Sequence, residues 1–313
     1  MEEKGRFAPS PSGRMHPGNL FSCLLAWLDA RAAGGKVVLR IEDLDRARCR
    51  EEYTRQVAED LRWLGLDWDE GYQAGGTAGP YLQSQRTEFY EEAFRRLRDQ
   101  GLVYPCWCSR SQRLAASAPH PGEVRDRGAC PCRELTAEER RKRAEERPPA
   151  WKAAVPARRI AFFDLFQGPQ SFDLEADCGD FVVRRSDGIF GYQLAVTVDD
   201  ALMGITRVVR GRDLLDSAAR QIWLMEALGF RVPRYGHIPL LLAADGRRLS
   251  KRERDLDMGI LRACRRPEEL IGWLGSLAGL CPEGTACTAE ELIPAFQSGS
   301  VGKADVCIQA EKC

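Results

Sequence analysis

The sequence has no long apolar run and no excess of charge of either sign. No stretch of about eighteen consecutive apolar residues occurs in the 313-residue chain, so we expect no membrane-spanning helix. The N-terminus lacks the basic and apolar segments of a secretory signal, so we expect a cytoplasmic protein. Lysine plus arginine and aspartate plus glutamate number 46 each. Net charge therefore favours no nucleic-acid partner, and any such partner must bind a local patch.

Histidine is scarce, with three residues, whereas the twelve cysteines are unevenly spread. Two Cys-x-Cys pairs, Cys106 with Cys108 and Cys130 with Cys132, lie in one segment. A secreted disulfide scaffold is usually smaller, with more regular cysteine spacing. Four clustered thiolates suit a tetrahedral zinc ion, with zinc–sulfur distances of about 2.3 Å. We therefore expect one structural zinc ion; free thiols and an adventitious disulfide are the alternatives.

Apolar periodicity predicts alternating strands and helices, the pattern of an α/β fold. In the first hundred residues the pattern predicts strands at 6–9 and 37–41 and helices at 20–33, 51–64 and 85–100. Later residues predict strands at 181–185, 193–197 and 237–242, a helix that follows Asp213 and ends at Gly229, and a helical region at 267–280. The last thirty residues show little periodicity and no clear core, so we expect them to be peripheral or partly disordered.

Five regions follow from this pattern. We expect the segments 1–100 and 151–255 to be two halves of one nucleotide-binding domain, separated by a zinc-binding insertion at 101–150. A helical region at 256–282 and a tail at 283–313 complete the chain.

Two loops carry residues suited to phosphate chemistry. The first, His16-Pro17-Gly18-Asn19, stands between a predicted strand and a helix, where backbone N–H groups and the helix dipole favour an anion. The second, RLSKR at 248–252, places three cations around a serine, which suits a triphosphate whose pyrophosphate leaves. Taken singly, each loop is more often an ordinary solvated loop.

Together the two loops resemble the "HIGH" and "KMSKS" signatures of class I aminoacyl-tRNA synthetases. Four further runs strongly resemble the glutamyl-tRNA synthetases: RFAPSPSG at 6–13, LRIEDLD at 39–45, the segment 187–195 that ends in YQLA, and VRGRDL at 209–214. The resemblance covers about residues 5–255, with its motifs in the order found in that family.

The resemblance implies roles for individual residues. Arg6 and Arg210 would hold the carboxylates of glutamate, since a guanidinium matches a carboxylate bidentately. Glu42 would receive the α-ammonium group, and the other glutamate-binding residues would be Ala8, Ser10 and Tyr192. ATP, with its Mg²⁺, would be bound by His16, Gly18, Asn19, Arg248, Ser250 and Lys251. The catalytic residues among these would be His16, Asn19 and Lys251. For Glu42 and Arg210, a buried ion pair is the structural alternative.

Two features narrow the resemblance to one branch. Only about sixty residues follow Lys251, whereas a helical anticodon-binding domain needs more than about a hundred. This length and the cysteine cluster are similar to those of the glutamyl-queuosine tRNA(Asp) synthetases. The resemblance implies a Rossmann-like catalytic domain with a parallel sheet and a short helical C-terminal region. It also implies a monomer that binds neither DNA nor membrane.

The implied activity is activation of L-glutamate by ATP without tRNA, then transfer to queuosine in the anticodon of tRNA(Asp). One departure concerns the metal: the family's tyrosine ligand corresponds to Gly128, so Cys130 is the natural replacement and His120 a second candidate. Two alternative functions remain open: a truncated glutamyl-tRNA synthetase that charges tRNA(Glu), and a non-catalytic paralogue that binds RNA or protein.

Overall fold

The structure, a computed structural model, describes residues 2–108, 130–249 and 257–308. No helix in these three stretches is long and apolar enough to cross a bilayer. The strands are β1 (Lys4–Phe7), β2 (Lys36–Leu39), β3 (Glu70–Gly71), β4 (Val103–Cys106), β5 (Ala150–Ala153), β6 (Arg159–Asp164), β7 (Gly168–Asp173), β8 (Phe181–Arg184), β9 (Arg207–Gly211), β10 (Arg234–Ile238), β11 (Leu241–Ala243) and β12 (Val306–Ile308). The α-helices are α1 (Pro17–Ala32), α2 (Glu51–Trp63), α3 (Thr87–Asp99), α4 (Ala137–Glu146), α5 (Tyr192–Leu202), α6 (Leu215–Ala227), α7 (Met258–Cys264), α8 (Pro267–Leu277) and α9 (Ala289–Leu292).

Parallel strands form the central layer, as the α/β pattern predicts. Strand β2 pairs in parallel with β1 and β3, and β9 pairs in parallel with β10. The two groups meet at β1 and β9, where the Thr206 backbone N–H donates to the carbonyl of Lys4 at 2.9 Å. Helical crossovers join these strands, which is the usual way to connect parallel neighbours. The Rossmann-like class of the predicted fold is confirmed.

Helix α1 lies at the centre of the molecule and is apolar on nearly all sides. It contacts β1, β2 and β9 on one side and α8 and α9 on the other. Leu20, Leu24 and Leu28 have no exposed surface. A helix buried on both sides needs apolar residues all round, which explains its weak amphipathic pattern. This packing fixes the start of α1 against the carboxyl ends of β1 and β9.

An antiparallel sheet anchors the insertion. Strand β5 pairs with β4 and with β8, and Cys106 at the end of β4 lies opposite Ala150 at the start of β5. Residues 107–149 therefore leave and rejoin the sheet at neighbouring positions. The cysteine cluster lies in this insertion, as the sequence predicts.

Two predicted strands, 193–197 and 237–242, differ from the structure. Residues 193–197 belong to α5, in which every residue from Tyr192 to Asp200 is buried. A helix buried on all faces shows no 3.6-residue periodicity, so a short apolar run cannot be told from a strand. The predicted strand 237–242 is two strands, β10 and β11, because Pro239 between them has no N–H to donate.

The tail also differs from its prediction. Strand β12 pairs in parallel with β11, with Leu241 opposite Val306. Four apolar residues of the predicted tail are buried in the core that surrounds α1: Leu292, Phe296, Val301 and Ile308. Residues up to 308 are thus integral to the domain. Their apolar residues are too widely spaced to form a periodic pattern.

Candidate functional site

A cavity of about 710 Å³ opens at the carboxyl ends of β1, β9 and β10. Its lining includes all six residues predicted to bind glutamate, namely Arg6, Ala8, Ser10, Glu42, Tyr192 and Arg210. It also includes four of the six predicted for ATP, namely His16, Gly18, Asn19 and Arg248. Ser250 and Lys251 lie outside the described residues. Ligands in open α/β sheets bind at this edge, so the position agrees with the general rule.

The start of α1 forms one wall of the cavity. The Asn19 side-chain oxygen accepts a hydrogen bond from the His16 backbone N–H at 3.2 Å, and the Asn19 N–H donates to the His16 carbonyl at 2.9 Å. These bonds hold the first turn in place. A Cβ at Gly18 would lie 3.1 Å from the His16 ring, so glycine lets the imidazole pack against the helix start. The remaining N–H groups of this turn suit an anionic ligand.

A buried ionic network supports the side of the cavity that Arg6 and Glu42 line. Arg40, which has no exposed surface, donates to Asp200 at 2.6 Å and to Glu42 at 3.0 Å. Asp200 also lies 3.4 Å from the Nε atom of Arg6. Burial opposes the charge of Asp200, but the Arg40 and Arg6 cations outweigh it and lower the pKa of this carboxyl. The network contains three cations and three anions: Arg6, Arg40, Arg86, Glu42, Asp199 and Asp200.

The Asp200→Asn variant is expected to lose about 3–5 kcal/mol of unfolding free energy, because it leaves two buried guanidinium groups without their shared carboxylate. Urea unfolding monitored by circular dichroism measures this loss. The matched control is Glu92→Gln, which breaks an ion pair with Arg95 whose side chains are both more than half exposed, and should cost under about 1 kcal/mol. Equal losses of unfolding free energy in the two variants would contradict the conclusion that the buried Asp200 carboxylate stabilises the fold.

The Asp200 carboxyl should also make the stability of the fold depend on pH. The pKa of Asp200 is lowered in the folded chain from its ordinary value of 3.8, because the Arg40 and Arg6 cations favour the carboxylate. Its stabilising contribution is therefore complete well above pH 3.8 and is lost as the pH falls through the lowered value. The Asp200→Asn variant should accordingly show a smaller loss of stability on acidification than the wild-type chain. Urea unfolding repeated across the acidic range measures the difference.

Glu42 and Tyr192 present complementary groups to the cavity. The Glu42 side chain is 8% exposed, and burial raises the pKa of its carboxyl despite the neighbouring Arg40 and Arg6. Burial raises the pKa of Tyr192 to about 12, so its hydroxyl stays protonated and can donate a hydrogen bond. An incoming ammonium group would favour the charged form of Glu42.

Arg210 is a buried cation in the wall of the cavity, and its described hydrogen-bond partners are neutral. Its guanidinium donates from Nε to the His237 Nε2 atom at 3.1 Å, from Nη1 to Gln221 at 2.9 Å and from Nη2 to the Leu214 carbonyl at 3.3 Å. Only 5% of Arg210 is exposed. Within the described ranges, no carboxylate lies within ion-pair distance of this guanidinium, so Arg210 is not part of a buried ion pair. Glu42 does form one, with Arg40 at 3.0 Å, as the structural alternative predicts for it.

The second loop reaches the cavity through Arg248. Its guanidinium forms an ion pair with Asp213, the residue that follows β9 by two positions. Leu249 beside it also lines the cavity and packs against the core. The start of the basic loop is therefore tied to the rim near Arg210.

Sequence reasoning missed Arg40, Asp200, Asp164, His237 and Gln221, which hold the cavity residues in position. A usable signal was present: Arg40, Asp200 and His237 are polar residues within apolar segments that the structure buries. A charged residue in such a segment must have partners. The sequence does not identify those partners, because the side chains in contact lie up to 194 residues apart, as Arg6 and Asp200 do.

The four clustered cysteines come together in the insertion. Their sulfur atoms all lie within 4.8 Å of one another, and three of the four residues are buried. Cys130 lies 3.5 Å from Cys106 and 3.8 Å from Cys108. The group can therefore hold one metal ion. Cys130 is a member of it, whereas His120 and Gly128 lie outside the described residues.

The surroundings of the cysteines are hydrogen-bonded and partly polar. The Tyr104 hydroxyl donates to Asp180 at 2.7 Å, and the Trp107 indole N–H donates to the Arg147 carbonyl at 2.9 Å. Lys152 is 1% exposed and places a cation near the cluster. A nearby cation favours thiolates, the form that binds metal, and here it partly offsets the burial that raises the pKa of Cys106.

Comparison with protein families gives a match over nearly the whole chain. Residues 4–309 match the family described as tRNA synthetases class I (E and Q), catalytic domain. A glutamyl-Q tRNA(Asp) synthetase from Symbiobacterium thermophilum is 54% identical over 98% of this chain and 96% of its own. A glutamyl-Q tRNA(Asp) synthetase from Nitratidesulfovibrio vulgaris is 50% identical over 90% of this chain and 87% of its own.

A solved structure agrees with this match. A glutamate tRNA ligase from Elizabethkingia meningosepticum, crystallised in complex with its amino acid, superposes with a TM-score of 0.82 at 28% identity. The superposition covers 99% of this chain and 68% of that ligase.

Proposed function

This chain belongs to the glutamate- and glutamine-specific (E and Q) catalytic-domain family of class I tRNA synthetases, and we propose that it activates L-glutamate with ATP and transfers it to the queuosine nucleoside of tRNA(Asp). It is a class I aminoacyl-tRNA-synthetase-like ligase. Two relatives that match over most of their length carry the name glutamyl-Q tRNA(Asp) synthetase, which supports this substrate.

The observation that carries the proposal is the environment of Arg210. This guanidinium is almost fully buried at the cavity wall, and its described partners are neutral acceptors. A buried cation without an acidic partner is costly unless a ligand supplies the anion. The γ-carboxylate of glutamate is such an anion. Glutamine, which has a neutral amide there, would leave the cation uncompensated.

The first step is formation of glutamyl-adenylate. An oxygen of the glutamate α-carboxylate attacks the α-phosphorus of ATP, the bond to the bridging oxygen breaks, and pyrophosphate leaves with its Mg²⁺. We propose that His16, Asn19 and Lys251 stabilise the charge on the phosphates and that none of them acts as a proton-transfer base. Gly18, Arg248 and Ser250 would complete the nucleotide site. Ala8 and Ser10 would contact the substrate beside Glu42.

The second step transfers the glutamyl group. A hydroxyl of the queuosine ring attacks the α-carbonyl carbon, an ester forms, and AMP leaves. We propose that the enzyme acts as a monomer in the cytoplasm.

For the cysteine cluster we propose one structural zinc ion. Four sulfurs at about 2.3 Å from zinc would lie about 3.8 Å apart in a regular tetrahedron. The separations of Cys108 from Cys130 and from Cys132 are both 3.8 Å. These distances support Cys106, Cys108, Cys130 and Cys132 as the ligands. When bound, the zinc ion would cross-link the two ends of the insertion.

The test is glutamate-dependent ATP–pyrophosphate exchange without RNA. We expect exchange with L-glutamate and little with L-glutamine, because buried bonds already hold Arg6, Glu42 and Arg210 in place without tRNA. Acylation is then measured with tRNA(Asp) that carries queuosine and with tRNA(Asp) that lacks it. Exchange that requires tRNA(Glu) would favour a truncated glutamyl-tRNA synthetase, and no exchange under any condition would favour a non-catalytic paralogue.

A further inference from the structure

His237 is a fully buried residue of β10, and both of its ring nitrogens are engaged. Nδ1 lies 2.5 Å from an oxygen of Asp164 at the end of β6, and Nε2 lies 3.1 Å from the Nε atom of Arg210 on β9. Neither Asp164 nor His237 has exposed surface. Neither is among the residues that line the cavity. The pair therefore stands behind Arg210, out of reach of a substrate.

The contacts determine the protonation of the ring. The Nε atom of Arg210 always carries a hydrogen, so the Nε2 atom of His237 must offer a lone pair. Asp164 as a carboxylate accepts, so the Nδ1 atom must carry the hydrogen. The opposite tautomer would set two hydrogens face to face at Arg210 and two lone pairs face to face at Asp164. A doubly protonated ring would place a second cation against the guanidinium.

Asp164 is itself held firmly. One of its oxygens accepts backbone N–H bonds from Phe166 at 3.0 Å, Gln167 at 2.9 Å and His237 at 2.9 Å. The other oxygen is left for the His237 ring. Burial opposes the charge of Asp164, yet the hydrogen bond from His237 lowers the pKa of this carboxyl. A negative charge therefore lies one imidazole away from Arg210.

The arrangement also selects which donors Arg210 offers. A guanidinium has five N–H groups, and here one goes to His237, one to Gln221 and one to the Leu214 carbonyl. The two that remain are on separate terminal nitrogens, Nη1 and Nη2. Two N–H groups on different nitrogens suit the two oxygens of one carboxylate.

We propose that Asp164 and His237 are positioning residues that fix the orientation of Arg210, so that its two remaining N–H groups bind the side-chain carboxylate of glutamate. The inference rests on the proposed function, since it assigns glutamate to Arg210. The charged and aromatic groups that face the ring are Asp164, Arg210, Asp213 and the stacked ring of Tyr235. Burial, together with the Arg210 cation, lowers the pKa of His237 to about 4, which agrees with a neutral ring near pH 7.

Two substitutions of His237 test the roles of its two ring nitrogens separately. In His237→Asn, the amide nitrogen takes the place of Nδ1 and keeps the bond to Asp164, but no acceptor faces Arg210. In His237→Gln, the amide oxygen takes the place of Nε2 and keeps the acceptor for Arg210. We expect His237→Asn to raise the KM for glutamate about ten- to hundredfold in pyrophosphate exchange, and His237→Gln to stay within about fivefold of wild type. The KM for ATP should stay unchanged in both.

The control is Ile238→Val, which removes a methyl group from the other face of the same strand. It should lower thermal stability and leave the KM for glutamate unchanged. An unchanged KM for glutamate in His237→Asn, or an equal rise in Asn and Gln variants, would overturn the positioning role. A wild-type chain without glutamate-dependent exchange would instead overturn the proposed function.

A second readout does not depend on activity. Nitrogen-15 spectra of the wild-type protein near pH 7 should show the His237 ring as the neutral Nδ1–H tautomer, assigned by its absence in His237→Gln. The signal should persist with no substrate present. A neutral ring with hydrogen on Nε2, or a charged ring at that pH, would overturn the inference whatever the exchange assay gives.

Discussion

The Arg210→Gln variant is expected to lose about a thousandfold in kcat/KM for glutamate in ATP–pyrophosphate exchange. The substitution removes the buried charge that we assign to the side-chain carboxylate, and a buried ion pair broken on one side costs about 3–5 kcal/mol. Glutamine at this position keeps polar atoms near Gln221 and His237, so the fold should survive. Because we assign the ATP subsite to other residues, we expect the KM for ATP to change little.

The matched control is Arg212→Gln, two residues further along the chain. Arg212 forms an ion pair with Asp305 at 2.6 Å, its side chain is 43% exposed, and it is not among the residues that line the cavity. Its loss should change kcat/KM for glutamate less than about threefold, because the partly exposed Arg212 does not line the cavity. Similar losses in the two variants would show that charge near the rim matters in general, and would contradict a specific role for Arg210.

The Cys108→Ser variant is expected to purify with little zinc, where the wild-type chain should hold about one ion. A serine hydroxyl is a poor zinc ligand, and loss of a direct ligand should weaken binding by more than the roughly 10–100-fold that outer contacts contribute. Metal analysis of the dialysed protein measures the change. We also expect faster proteolysis within residues 107–149, because metal binding and folding of small zinc sites are coupled.

Cys307→Ser provides the control for that experiment. Cys307 is exposed in β12, far in sequence from the cluster, so its variant should retain zinc and resist protease like the wild type. Zinc content equal in Cys108→Ser and wild type would reject the four-thiolate site. A chain that contains no zinc in any form, yet resists protease, would reject the structural role of the metal.

The sequence predicts the elements of this fold best where apolar residues are spaced for one buried face. Predicted helices 51–64 and 85–100 correspond closely to α2 and α3, both strongly amphipathic. Prediction failed at α5, because a helix buried on every side carries no stripe. It also failed at β12, which is three residues long and depends on pairing with β11, more than sixty positions earlier.

Site residues were likewise predicted where the sequence signal is local and missed where it depends on distant contacts. Motifs supplied the residues that line the cavity, because each motif is local in sequence. The residues behind them, such as Asp164 and Asp200, contact their partners across distances of 73 and 160 positions. Their chemistry is visible only as polarity within apolar segments. The packing of the strands and helices determines which of these polar side chains become partners.

The neighbouring ends of β4 and β5 bear on how this protein can change over evolutionary time. Cys106 and Ala150 lie opposite each other in antiparallel pairing, so the antiparallel sheet of β4, β5 and β8 would remain continuous if the intervening segment were shortened to a tight turn. Mutations within that segment can accumulate without shifting the strands that carry Arg6 and Arg210. The insertion is therefore a place where relatives of this chain can diversify, gaining or losing ligands and length, while amino-acid activation stays under separate selection.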